Sequence, residues 1–194
     1  CPSGVEYGQL LEIGREIMES KRGKFQALYR YLVRKALLTP IIFKPIGYFY
    51  RHSKISSKPI KPEIIQSRVL LMGGCVQPSL APNINHSIKN ILAKLNIEVR
   101  ESSQSECCGA LDQHLAASND ALKKVKRNID TWISQLDSGV EAIISSASGC
   151  GIMIKDYPNL FEESDSYYEK ALLVSSKTKD IAEFLANKDL SMLN

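Results

Sequence analysis

The chain is 194 residues long, 44% hydrophobic and 24% charged, with a formal net charge of +4, which is enough to bury the core of one domain plus an appendage. No apolar run reaches the length of a membrane span and no basic-then-apolar leader precedes the first domain, so the expected compartment is the cytoplasm. A charge this mild does not by itself imply nucleic acid, and none is expected as a partner. Five cysteines in a cytosolic chain argue against a disulfide framework and for metal ligation or redox work. The sequence opens on Cys1 rather than Met, and residues upstream of it are expected to be missing.

From Cys1 to Ser20 the pattern predicts a tight turn at Pro2-Ser3-Gly4 and then an amphipathic helix with Leu10, Leu11, Ile13, Ile17 and Met18 inward. Residues 21–61 carry Lys and Arg throughout, from Lys21 to Lys61, and no Asp or Glu. The same stretch holds Phe25, Tyr29, Tyr31, Phe43, Tyr48, Phe49 and Tyr50. Pro40 and Pro45 divide it into short helices, and Pro59 and Pro62 mark a linker.

Past Arg68 strands alternate with helices. Val69 to Met72, followed by Gly73-Gly74, reads as a buried parallel strand. A helix from about Asn83 to Leu95 and a short strand from Ile97 to Arg100 come next. After Cys108 a second crossover contains Leu111 to Ala117 and a longer helix through Leu122, Val125, Ile129, Trp132, Ile133 and Leu136, ending near Gly139. Val140 to Ser145 is the third strand. Another helix begins near Gly151, and two more cover Tyr167 to Val174 and Asp180 to Ala186, the last with Thr178 as a candidate cap. The expected fold is α/β: a parallel sheet with helices on both faces, preceded by short helices.

Side chains just beyond the carboxyl ends of neighbouring parallel strands gather in one crevice. Cys75 follows the first strand, Cys107 and Cys108 the second, and Cys150 the third. Gly73, Gly74, Gly109, Gly149 and Gly151 flank them and permit tight turns or close approach to a bulky ligand. Four thiolates suit an iron–sulfur cluster. They would also suit structural zinc, but zinc usually takes paired C-x(2 to 4)-C knuckles, and an adjacent Cys107-Cys108 pair is awkward for a single tetrahedral ion. Buried, inert cysteines are the third reading. The cluster is preferred.

Gly74-Cys75-Val76-Gln77, Glu106-Cys107-Cys108-Gly109-Ala110 and Ala147-Ser148-Gly149-Cys150-Gly151 resemble, in order, the cysteine-rich CCG domain family, over about residues 68–186. Within it the likeness is to iron–sulfur subunits of the glycolate oxidase (glycolate dehydrogenase) type, to which residues 1–8, Arg127-Asn128-Ile129-Asp130 and Lys155-Asp156-Tyr157 are also similar. The resemblance implies that Cys1-Pro2 ends a ferredoxin-type C-x2-C-x2-C-x3-C-P run, in which Cys1 is a further cluster ligand. It divides the chain into 1–20, the tail of a ferredoxin-type 4Fe-4S module; 21–66, a basic helical linker; and 67–190, the cysteine-rich domain. It also implies two ferredoxin-type motifs upstream and a second cysteine-rich domain downstream in full-length relatives.

The implied cofactor is an iron–sulfur cluster of 4Fe-4S type, and the implied partners are flavin-containing glycolate oxidase subunits that convert glycolate to glyoxylate. The chain then relays electrons and is not catalytic alone. An equivalent subunit for lactate or glycerol 3-phosphate, and a zinc-stabilised structural module, are the alternatives. Heterodisulfide reductase relatives end the motif with C-x2-C; here Met153 stands at that position, which puts their disulfide chemistry in doubt.

Gly149-Cys150-Gly151 is not read as a dinucleotide loop, because position 154 is Ile. His114 reads as a half-exposed helix residue, with His86 and His52 no more informative. Lys123, Lys124, Lys126 and Arg127 read as a solvated helix face and Trp132 as core. For residues 21–61 three readings stay open: packing against a second cysteine-rich domain, binding a flavin-bearing partner, or peripheral contact with the cytoplasmic face of the inner membrane.

Overall fold

The structure, a computed structural model, describes residues 4–5, 7–38, 60–101 and 107–193. Cys1, the turn at Pro2-Ser3, and the helices expected around Pro40 and Pro45 lie outside the described residues. Among those described, no helix is long and apolar enough to cross a membrane.

The centre is a four-stranded, wholly parallel sheet of order β2-β1-β3-β4, formed by β1 (Ser67–Leu71), β2 (Ile97–Glu101), β3 (Ala142–Ser145) and β4 (Thr178–Asp180). Val69 faces Val99 on one side and Ala142 on the other, and Ile143 faces Thr178. Successive side chains on a strand point to opposite faces, so each strand feeds two cores. Leu70 and Ile143 point into one, with Val125, Ile129, Trp132, Ile154, Tyr157 and Val174. Val69, Leu71 and Ile144 point into the other, with Ile88, Leu92 and Phe184.

The helices supply the remaining walls. Those bearing on the sheet are α3 (Gln77–Leu80), α4 (Pro82–Lys94), α5 (Ala110–His114), α6 (Ser118–Asp137), α7 (Ser148–Lys155), α8 (Tyr168–Lys177) and α9 (Ile181–Leu185). The first core is closed by α6, α7 and α8, and the second by α4 and α9. Helices therefore cover both faces, as all-parallel sheets require.

Two terminal details differ from the sequence reading. Thr178 is not a cap but the first residue of β4, where its hydroxyl donates to the Val174 carbonyl at 2.8 Å. The cap of α9 is Asp180, which accepts from Ala182 N–H while Glu183 reaches back to the Asp180 N–H, a capping box. A three-residue strand is too short to announce itself by alternation.

Ahead of the sheet lie α1 (Tyr7–Ser20) and α2 (Lys24–Leu38). The apolar residues assigned to the inside of α1 are in fact exposed: Leu10, Leu11, Ile13, Ile17 and Met18. The helix meets the domain through its polar edge instead, where Glu12 accepts from Gln113 Nε2 at 2.9 Å and Glu16 accepts from Ser118 Oγ at 2.6 Å. In α2, Arg34 is buried against Asp112 of α5 and bonds Asp120 of α6 at 2.8 Å. Asp112, fully buried, also receives Lys124. A buried carboxylate is tolerated only when paired, so the basic stretch supplies the counter-charge to an acid inside the following domain.

Hydrogen bonds from Arg34 and then Lys35 hold the Asp120 carboxyl at about 2, below its ordinary 3.8. A depressed carboxyl contributes stability that is complete above its unfolded value and is lost as pH falls through the folded one. Asp120→Asn should therefore lower the melting temperature at neutral pH. The difference from the parent should vanish below about pH 2 in melts recorded across acid pH.

Candidate metal centre

Three parallel strands end at the same edge of the sheet, and the four described cysteines follow those ends. Cys75 stands on a turn after β1 in which Gly74 takes φ +76°. Cys107 and Cys108 precede α5, and Cys150 lies in the first turn of α7. That helix begins at Ser148, earlier than the expected start near Gly151, so Gly149 and Gly151 are helical rather than turn residues. A Cβ at Gly151 would make only ordinary contact with the Ser145 side chain, at 3.6 Å. Cys107 and Cys108 are buried; Cys75 and Cys150 are partly exposed.

The four thiols lie close enough to act on one another's ionisation, in the order Cys75, Cys107, Cys108, Cys150. Cys107 is the strongest acceptor: bonds from Cys108 and Cys75, with help from the Gly109 N–H and the nearby Lys124 charge, push its thiol well below the usual value. The bond from Cys108 lowers Cys150 in the same way. Cys75 and Cys108, as donors and as buried groups, are pushed up. Negative charge is thus favoured at Cys107 and Cys150 and disfavoured at Cys75 and Cys108, and ligation by all four would release protons.

No group of three or more His, Cys, Asp or Glu side chains among the described residues is arranged to hold a metal ion as it stands. The surroundings nevertheless suit a polynuclear sulfur-bridged centre. A cleft of about 360 Å³ opens beside Cys75 and Cys150, with Met72, Val76, Ala81 and Ala147 in its walls. Cluster cores are bulky, apolar in their demands and ligated by four thiolates.

The backbone at the cysteine pair is held from behind. Asn128 of α6 donates from Nδ2 to the Cys107 carbonyl at 2.9 Å and to the Tyr157 hydroxyl at 3.1 Å. Tyr157 in turn donates to the Cys108 carbonyl at 2.9 Å. Burial pushes the Tyr157 phenol well above its usual value, so it keeps the proton it donates. Its ring stacks on Trp132, with centroids 6.2 Å apart and planes 6° from parallel. Asn128 Oδ1 is buried without a partner among the described residues, an omission that costs about 1–3 kcal/mol. A second polar cluster ties the Cys75 turn to the end of β3: Gln77 Nε2 donates to Asn85 Oδ1 at 2.8 Å and to Ser146 Oγ at 2.7 Å.

The supporting role of Asn128 and Tyr157 does not follow from the sequence pattern. The available signal was one polar residue on the otherwise apolar face of α6 that carries Val125, Ile129 and Trp132. Lys124 and Lys126 depart from the expected solvated face, the first reaching Asp112 and the second lying over the Tyr167 ring at 4.7 Å. His114 is half-exposed as expected, with Nδ1 3.3 Å from Glu12. Trp132 is core.

The parallel sheet carries a cysteine crevice at its carboxyl edge, and residues 69–155 match the cysteine-rich domain family, CCG. Over that segment the chain is similar to this family. The chain is similar to the glycolate oxidase iron–sulfur subunit of Escherichia coli (strain K12), 35% identical over 210 residues that span 100% of this chain and 52% of that protein. It is also similar to the probable glycolate oxidase iron–sulfur subunit of Bacillus subtilis (strain 168), 25% identical with the same coverage. Lactate utilization protein A of Bacillus licheniformis is 28% identical over 120 residues, 62% of this chain and 48% of that protein. The chain thus spans about half the length of the curated relatives it matches. No solved structure matches it.

Gly109 is the residue on which the pair turns into α5, with φ +91°. A Cβ there would sit 3.4 Å from the Ala121 carbonyl oxygen and from Val125 Cγ2. Gly109→Ala should cost about 1–2 kcal/mol from the left-handed backbone alone, read as a lower urea midpoint with an unchanged slope.

Proposed function

We propose that the chain is the electron-relaying part of an iron–sulfur subunit in a 2-hydroxyacid-oxidising complex, with glycolate as the substrate of the complex. The observation that carries the reading is the gathering of Cys75, Cys107, Cys108 and Cys150 beyond three parallel strand ends, near enough to shift one another's ionisation. The likeness to two relatives named for glycolate oxidase, over the whole of this chain, supports the choice of substrate.

In this proposal the four cysteines ligate one cluster, of 4Fe-4S type, which when bound accepts and returns electrons singly. The chain's own part is to supply thiolates, aim backbone N–H groups at them and keep water from the centre. The Gly109 and Ala110 N–H groups favour negative charge at the Cys107 and Cys108 sulfurs, respectively. Cys1 serves a second, ferredoxin-type cluster, and a flavin-bearing partner carries out the carbon chemistry that yields glyoxylate. The complex works in the cytoplasm, at the membrane face if residues 21–61 contact anionic lipid.

Anaerobically purified protein should contain iron and acid-labile sulfide, and Cys108→Ser should lose the share bound in this crevice. Stoichiometric zinc without sulfide would replace the reading with a structural metal module. At the level of the organism, deletion should abolish growth on glycolate and spare growth on lactate and glycerol 3-phosphate. Normal glycolate oxidation in the deletion strain would defeat the substrate assignment.

A further inference from the structure

The hydrogen bonds behind the cysteine pair form an ordered series. Asn128 supplies both of its amide protons, one to the Cys107 carbonyl and one to the Tyr157 oxygen. The Tyr157 hydroxyl, having accepted, donates to the Cys108 carbonyl. A trans peptide is planar, with its C=O and N–H pointing in opposite directions. The peptide that Tyr157 holds by the Cys108 oxygen therefore presents its other end, the Gly109 N–H, on the far side, where it favours negative charge on the Cys107 sulfur. Donation to a carbonyl polarises the amide and strengthens its N–H as a donor, the more so away from water. Asn128, Tyr157, Cys107 and Cys108 are all buried.

We infer that Tyr157 and Asn128 are positioning residues for the metal centre: by holding the Cys107 and Cys108 carbonyls they fix the backbone of the cysteine pair, and through the shared Cys108–Gly109 peptide they orient and polarise the Gly109 N–H toward the Cys107 sulfur. The inference rests on the cluster reading for its redox consequence, but the hydrogen-bond series itself does not. Neither side chain touches a sulfur. Asn128 leaves its own acceptor without a partner among the described residues while using both donors, which is what a residue placed for donation looks like. The Trp132 stack keeps the Tyr157 ring in line. A hydrogen bond to a ligating sulfur favours the more negative, reduced state of a cluster, so a weaker one lowers the midpoint potential.

The test is Tyr157→Phe, which keeps the ring and its stack and removes only the hydroxyl, compared with the parent and with Trp132→Phe, which alters packing but removes neither carbonyl bond. In the anaerobically purified protein, Tyr157→Phe should retain the iron and sulfide of this site and shift its midpoint downward in a redox titration followed by electron paramagnetic resonance. Trp132→Phe should leave the midpoint in place even where it lowers the melting temperature. An independent reading comes from the Gly109 amide proton in nuclear magnetic resonance of protein kept free of iron, which should move upfield and exchange faster in Tyr157→Phe alone. An unchanged midpoint with an unchanged Gly109 amide overturns the inference, as does an equal response to Trp132→Phe. If Tyr157→Phe fails to retain a cluster, or the parent binds none, the Gly109 amide decides between support and refutation; a parent without iron also defeats the proposed function, which keeps the two failures distinct.

Discussion

Direction of the strands is the constraint from which the rest of the site follows. Because β1, β2 and β3 are parallel neighbours, each ends at the same edge, and each must then return the chain through a crossover to the opposite edge. Residues far apart in sequence are thereby delivered to adjacent positions, so Cys75, Cys107, Cys108 and Cys150 meet without any local cysteine motif. Reversing one strand would send its cysteines to the far end of the molecule. The two cores exist to hold that geometry: Leu70 and Ile143 bind the sheet to one layer of helices, Val69, Leu71 and Ile144 to the other.

Once gathered, the sulfurs experience an environment with little water and several fixed donors. Along the series, thiols pushed down alternate with thiols pushed up, because neighbouring like charges cannot all be carried in so small a space. Backbone N–H groups and Lys124 favour negative charge at Cys107. The polar side chains that steady the loops, Gln77 and Ser146 on one side and Asn128 with Tyr157 on the other, act on backbone or on one another rather than on sulfur. Ligation and support are thus divided between different residues.

The repeating strand and helix pattern, the parallel sheet with both faces covered and the convergence of four cysteines were legible because each depends on hydrophobic period and order along the chain. β4 was not, since three residues of Thr-Lys-Asp carry no alternation and are recruited only by pairing with Ile143 to Ser145. The exposed stripe of α1 misled for a related reason: periodicity reports an apolar face and not what covers it. Asn128 and Tyr157 were hidden because their value lies in a contact across 29 positions of chain, and the Asp112 ion pairs because 78 positions separate Arg34 from Asp112.

Those ion pairs blur the line between linker and domain. By composition the cysteine-rich unit starts near Ser67, and everything before it looks detachable. Yet Asp112, fully buried at the foot of the helix that follows the cysteine pair, draws Arg34 from the segment before that line. A chain begun at Ser67 would keep the sheet and all four thiols but leave that carboxylate with Lys124 alone. The unit of inheritance suggested by the cysteine pattern is therefore smaller than the unit of folding, and excision or recombination at the apparent boundary carries a hidden electrostatic debt.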